Sequence, residues 1–304
     1  MKKLTTAAQE RATSFMTTKA RLLERTLYEL FVLGTGTKDR VLNELATFQN
    51  EDGGFGHGLE PDVQTPASSV LATTEALQTL RALGVTSAHP LVRDALAYLQ
   101  QTYDPAQHTW PLVPEQVDKA PHAPWWQHQE DLSGNLANPR AEIVGYFFEY
   151  GELVTDELRR ELLDDVLAHL QELPNEMEMH DLMCYVRLAE TEALPEEARR
   201  DLKPRLQRAV ATVVARGQES WAAYGLKPAT VAPLPDSLFA EALAPLIGEQ
   251  LDFEIEAQEA DGSWSPNWSW GDTYPDAWPE ARRAWQGIIT YRTMRTLQAY
   301  GRLA

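Results

Sequence analysis

Four stretches of this 304-residue chain bring together side chains that can do chemistry. The first is Gly56-His57-Gly58-Leu59-Glu60-Pro61-Asp62-Val63-Gln64, with an imidazole and two carboxylates inside six residues. If Glu60 and Asp62 sit together away from water, their affinities for protons split, and one becomes an acid while the other stays a base. A helix beginning just after them favours the ionised form. The competing reading is structural: the two carboxylates hold loop amides and the helix start. The second stretch is Asn138-Pro139-Arg140-Ala141-Glu142-Ile143-Val144-Gly145-Tyr146. Pro139 suits a helix start with Asn138 as its cap, and Glu142 and Tyr146 then share a face. Arg140 and Glu142 are costly to bury unpaired, so each finds a partner or serves a ligand.

The other two stretches are aromatic. Pro121-His122-Ala123-Pro124-Trp125-Trp126-Gln127-His128 lies in a long segment, about 104–138, with no strong helical pattern. Long loops in compact domains often bind or cover something. Trp125 and Trp126 can stack on a sugar or face a cation, or else plug the fold. Ser263-Trp264-Ser265-Pro266-Asn267-Trp268-Ser269-Trp270-Gly271-Asp272 begins a region that holds five of the nine tryptophans, from Trp264 to Trp285. It either walls a ligand cavity or caps the fold. Glu60, Asp62 and Glu142 are therefore the candidate catalytic groups. His57, Trp125, Trp126, Arg140, Tyr146, Trp268, Trp270 and Asp272 are the candidate ligand contacts. His180, Asp181 and Cys184 fall within five residues, but three ligands so spaced on a helix rarely point one way, and packing is the favoured reading. No metal site is assigned, no cofactor is specified, and no Gly-x-Ser-x-Gly elbow exists.

These side chains must be positioned by helices, because strand patterns are nearly absent. Helical periodicity predicts elements over about 6–33, 38–49, 66–83, 89–102, 139–150, 155–172, 178–191, 196–216, 234–246, 247–258 and 281–301. In 66–83, Thr65 is the expected cap, Pro66 the first turn and Gly84 the stop. Gly or Pro marks the breaks between elements.

One pattern recurs. Gln49, Asp52, Gly53 and Phe55 align without a gap on Gln258, Asp261, Gly262 and Trp264. Each set follows a predicted helix. Asp-Gly makes a turn, with glycine taking positive φ, and the glutamine can satisfy backbone groups left over at a helix end. Weaker echoes occur at Gln101 with Trp110 and Gln218 with Trp221. Units of roughly 50 residues, each a helix pair, point to a solenoid or closed ring. The expected fold is all-α: an α/α toroid of about five to six helix pairs forming a single domain over residues 1–304.

The Gln-x-x-x-Gly-x-Trp/Phe turn resembles the repeat of squalene and oxidosqualene cyclases and of protein prenyltransferase β subunits. The stretch Gln49–Gly56 is especially similar to the prenyltransferase form. The resemblance implies inner helices around a central cavity, outer helices around those, and an isoprenoid-like small molecule as ligand. The familiar catalytic motifs are missing: there is no Asp-x-Asp-Asp, no Asp-x-Cys pair at Cys184, and no Asp-Asp-x-x-Asp. The chain also resembles bacterial proteins of this fold that carry no assigned reaction.

Composition limits the partners. A net charge of −18 disfavours nucleic acid and anionic membrane surfaces. A single cysteine excludes an intrachain disulfide. No apolar run approaches the roughly 18 residues that span a bilayer, and residues 5–14 do not read as a signal peptide, so a cytoplasmic protein is expected. The functional expectation is a cyclase-like or prenyltransferase-like protein holding an isoprenoid-like molecule, with its reaction unassigned. The alternatives are a non-catalytic ring that binds a ligand or protein, and a carbohydrate-active hydrolase or lyase.

Overall fold

A computed structural model describes residues 1–304. The regular structure is all helical, with no strand and only isolated β-bridges. Thirteen α-helices follow in order: α1 (Thr6–Thr18), α2 (Leu22–Phe31), α3 (Lys38–Ala46), α4 (Val70–Ala82), α5 (Pro90–Gln101), α6 (Arg140–Glu149), α7 (Asp156–Glu172), α8 (Met179–Ala189), α9 (Glu196–Val213), α10 (Gln218–Ala222), α11 (Pro228–Val231), α12 (Ala240–Glu256) and α13 (Trp278–Ala299). Between α5 and α6 the long segment carries only two short 3₁₀ turns, Glu115–Lys119 and Ser133–Asn135.

Several boundaries differ from the sequence expectation, each for a local reason. The helix expected over 6–33 is two helices. Arg21 is extended and separates them; α2 starts without a side-chain cap, and the Arg21 guanidinium bonds Glu24 in its first turn through Nε at 2.9 Å and Nη2 at 2.7 Å. The element expected from residue 66 starts at Val70, because Ser69 rather than Thr65 accepts the Ala72 N–H, at 3.0 Å. Asn138 does not cap α6. Pro139 occupies the cap position after a cis peptide bond, with no side-chain cap. The expected pair 234–246 and 247–258 is one helix, α12, which runs through Pro245 and Gly248. Pro279 in its first turn lets α13 begin ahead of the expected residue 281.

The chain divides into two compact units, 48–213 and 1–47 with 214–304. In the first, α4 pairs with α5, α6 with α7 and α8 with α9, while α6 also packs against both α4 and α8. One layer is thus α4, α6 and α8, and the partner helices flank it. Every residue from Arg140 to Phe148 is buried, as a helix covered on all sides requires. In the second unit, α13 packs on α1 and α2, and α12 on α10 and α11. Leu4 and Leu303 form a parallel bridge that joins the two ends of the chain.

Candidate functional site

The two turn motifs use the same atoms for the same work. Gln49 Nε2 donates to Gly53 O at 2.9 Å and to Leu91 O, in α5, at 3.3 Å. Gln258 Nε2 donates to Gly262 O at 3.1 Å and to Ala8 O, in α1, at 2.9 Å. Asp52 Oδ1 accepts from Gly54 N and Ser68 Oγ; Asp261 Oδ1 accepts from Ser263 N and Oγ. Phe55 N and Trp264 N each donate at 3.0 Å to a threonine hydroxyl on the following helix, Thr73 of α4 and Thr290 of α13. Gly53 and Gly262 have φ of +87° and +92°, and a Cβ on either would lie 2.3 Å from the backbone of the neighbouring helix. The motif's polar atoms therefore dock a turn onto a helix. In the weaker echoes only the aromatic keeps its place: Trp110 and Trp221 are buried and donate Nε1 to main-chain carbonyls.

The loop after the first turn is well buried. Glu60 and Asp62 are both out of solvent, and Glu60 Oε1 accepts the Asp62 N–H at 3.1 Å. Asp62 O accepts the Ala123 N–H at 2.8 Å, and Gln64 N donates to Pro121 O. These bonds tie the loop to the segment that carries the paired tryptophans. His57 is exposed, holds a positive φ of 56°, and its Nε2 meets Asn50 Oδ1 at 2.8 Å. Trp126 packs on a small cluster of Val63, Val113 and Val117, whereas Trp125 is 47% exposed.

The third stretch separates. Arg140 and Glu142 stand two apart on α6 and so point to opposite sides. Arg140 donates to Leu136 O at 2.7 Å and His108 O at 3.1 Å, and its nearest carboxylate oxygen, Asp165 Oδ2, is 4.0 Å away. Glu142 faces α8. Its Oε1 accepts the Tyr146 hydroxyl at 2.6 Å, and its Oε2 accepts Arg187 Nη1 at 2.8 Å, with Cys184 Sγ at 3.8 Å. Cys184 Sγ also lies 3.5 Å from Asn138 Oδ1. Arg81 of α4 stacks on the Tyr146 ring at 4.5 Å, bonds Glu149, and donates to Thr191 Oγ1 and Arg187 O.

Burial shapes the proton affinities of this network. It pushes the Cys184 thiol and the Tyr146 phenol well above their ordinary values, and the Glu142 charge adds to both shifts. Burial alone would lower the Arg187 value, but Glu142, Cys184 and Glu75 more than offset it, so the guanidinium stays charged. Asp181, one turn before Cys184, is raised to about 6 by burial and by the charge of Glu178. Arg187 and Glu75 were not among the expected site residues, and Asp181 and Cys184 were read as ordinary packing. Their signal is a charge inside an otherwise apolar helix, as in Leu182-Met-Cys-Tyr-Val-Arg187-Leu-Ala.

The tryptophan-rich segment packs largely on itself. Trp270 is fully buried and lies 5.5 Å from Trp278. Trp268 meets Trp285 edge-on at 5.0 Å and Tyr224 at 5.7 Å. Trp264 is buried and donates to Glu254 O at 2.8 Å. Asp272 is exposed.

No group of three or more His, Cys, Asp or Glu side chains is placed to hold a metal ion; His180 Nδ1 turns to Glu178 at 2.8 Å. Depressions of about 560 Å³ along α1 and about 270 Å³ beside α7 and α9 are lined by none of the candidate residues. No helix is long and apolar enough to cross a membrane. No protein-family model and no curated protein matches the chain.

Proposed function

We propose that this chain is an α/α toroid of the terpenoid cyclase and prenyltransferase type, and that it binds an isoprenoid-like small molecule in a central cavity. The observation that carries the proposal is the shared set of glutamine, aspartate and aromatic main-chain hydrogen bonds in the two turn motifs, from Gln49 to Phe55 and from Gln258 to Trp264. The alternation of helix pairs around α4, α6 and α8 agrees with it. The test is extraction of the purified full chain with organic solvent, followed by mass analysis, and titration of the stripped protein with prenyl chains of graded length. Near-stoichiometric isoprenoid, or saturable binding of one chain length, is the expected result. No binding of any isoprenoid up to its solubility limit would defeat the proposal.

Binding without catalysis is favoured over cyclisation by one observation. Glu142, the most deeply enclosed of the candidate acids, commits both oxygens to Tyr146 and Arg187. With both oxygens so occupied, neither is free to approach a substrate double bond. Incubation with an acyclic polyprene should return it unchanged, and a cyclised product that Glu142→Gln abolishes would restore the catalytic reading.

A further inference from the structure

The segment between α5 and α6 is closed at its base and supports itself beyond it. Asn135 pins the two ends together: its Nδ2 donates to Trp110 O at 2.9 Å, and its main-chain oxygen accepts the Thr109 hydroxyl at 2.7 Å. Gln107 adds a second tie, accepting the Leu132 N–H at 2.8 Å and donating to Glu130 O at 3.1 Å. Trp110 and Leu132 are buried at this base, whereas Gln129, Glu130 and Asp131 are exposed. Loops whose ends are joined and whose side chains pack together form compact units. The body of this one, residues 111–128, carries its own bonds. Val117 N donates to Pro114 O, Ala120 N to Val117 O and Trp126 N to Ala123 O. His128 Nδ1 lies 3.1 Å from Val113 O and closes the body on itself. Pro111, Pro114, Pro121 and Pro124 fix φ along it.

This body is seated on the loop before α4 and on the start of that helix. Leu112 O accepts the Leu71 N–H at 3.0 Å, a first-turn amide that α4 itself leaves without a partner. Pro121 O accepts from Gln64 N at 3.0 Å, and Ala123 N donates to Asp62 O at 2.8 Å. The last two bonds flank an antiparallel bridge between Val63 and His122. Val113, Val117 and Trp126 pack with Val63 and Leu71 along the same seam. Next to it lie the buried Glu60 and Asp62. A body that holds its own shape, is tied at its base and is seated through a short seam is built to lift without unfolding the helices below. We propose that residues 111–128 are a lid, hinged at 129–131 and at the junction with Trp110, that opens as one body and uncovers the 59–64 loop and the first turn of α4.

Amide hydrogen exchange on the full chain, resolved residue by residue, tests the lid without any ligand. The Gln64, Leu71 and Ala123 amides are all bonded across the seam, so they should share one level of protection. That level should lie at least about tenfold below that of Tyr146 and Phe147 in the interior of α6. Val63 and His122 face each other as a non-hydrogen-bonded pair, with Cα atoms about 4.5 Å apart, within reach of a disulfide. The oxidised double variant Val63→Cys with His122→Cys should slow all three amides by about tenfold or more, and reduction should restore them. Trp126→Ala, which removes part of the seam, should speed the three by a common factor and leave Tyr146 and Phe147 unchanged; circular dichroism verifies that each variant is folded. Three unrelated levels of protection, or levels equal to that of α6, overturn the lid. Exchange that stays unchanged in the oxidised variant overturns it as well.

Discussion

Glu142 and Arg187 meet across two adjacent helices at 2.8 Å, although 45 residues separate them in the chain. The carboxylate is nearly inaccessible, with 3% of its side chain exposed, and the guanidinium is only partly covered. The Tyr146 hydroxyl is fixed on the second oxygen, and the Cys184 thiol beside the first is pushed up by burial and then by the Glu142 charge, which Arg187 partly offsets.

Glu142→Gln should therefore cost about 2–4 kcal/mol, because it leaves Arg187 without its counter-charge in a largely dry setting. Urea unfolding followed by circular dichroism measures this. Pairing Glu142→Leu with Arg187→Met should recover most of the loss. A double variant as unstable as the sum of its single changes would show that the two side chains act independently.

The two turn glycines should be equally intolerant. Gly53→Ala and Gly262→Ala each force a side chain into positive φ and into a helix backbone 2.3 Å away. A loss of about 3 kcal/mol or more is expected at each position, and thermal unfolding reads it. A fall of under about 1 kcal/mol at either would contradict the docking role assigned to the turn.

Replacing either motif glutamine removes two bonds to main-chain carbonyls. Gln49→Ala and Gln258→Ala should each lower stability by about 1–3 kcal/mol. The two losses should be of similar size, since the main-chain bonds correspond one for one, with Gln258 the larger if its exposed bond from Arg11 Nη2 at 3.1 Å contributes. Markedly unequal losses would break the equivalence of the turns.

Asp181 gives a pH signature. Its folded value, about 6, lies above the ordinary 3.8. Between about pH 4 and pH 6 the folded chain holds a proton that the unfolded chain releases, so this group's contribution is full below that window and is lost as pH rises through it. Asp181→Asn, which mimics the protonated form, should gain stability relative to wild type across the same window and hold a constant difference above about pH 7. A difference that stays flat from pH 4 to 7 would mean that Asp181 titrates normally beside Glu178, His180 and Cys184.

Much of the architecture was legible locally. Helix positions follow from apolar spacing and from Gly and Pro breaks, and the turn follows from four residues of matching type, because each depends on neighbours within a few positions. Where the reading missed, the local signal was unusual, as with α2 starting without a side-chain cap or Pro139 entering α6 through a cis bond.

The site was legible only in part. Glu142 and Tyr146, four apart, were expected to share a face and do, while Glu60 takes the Asp62 N–H, the loop-amide role that was the structural reading of that pair. Which way each charge turns was a tertiary decision. Arg140 goes to a carbonyl 32 residues back and Glu142 to a guanidinium 45 residues ahead. Buried charges must find whatever partner packing delivers, and no local pattern says which helix will lie alongside. Sequence by itself determined that this chain is helical and carries two equivalent turns. The packing of α4, α6 and α8 decided which of its charged side chains meet.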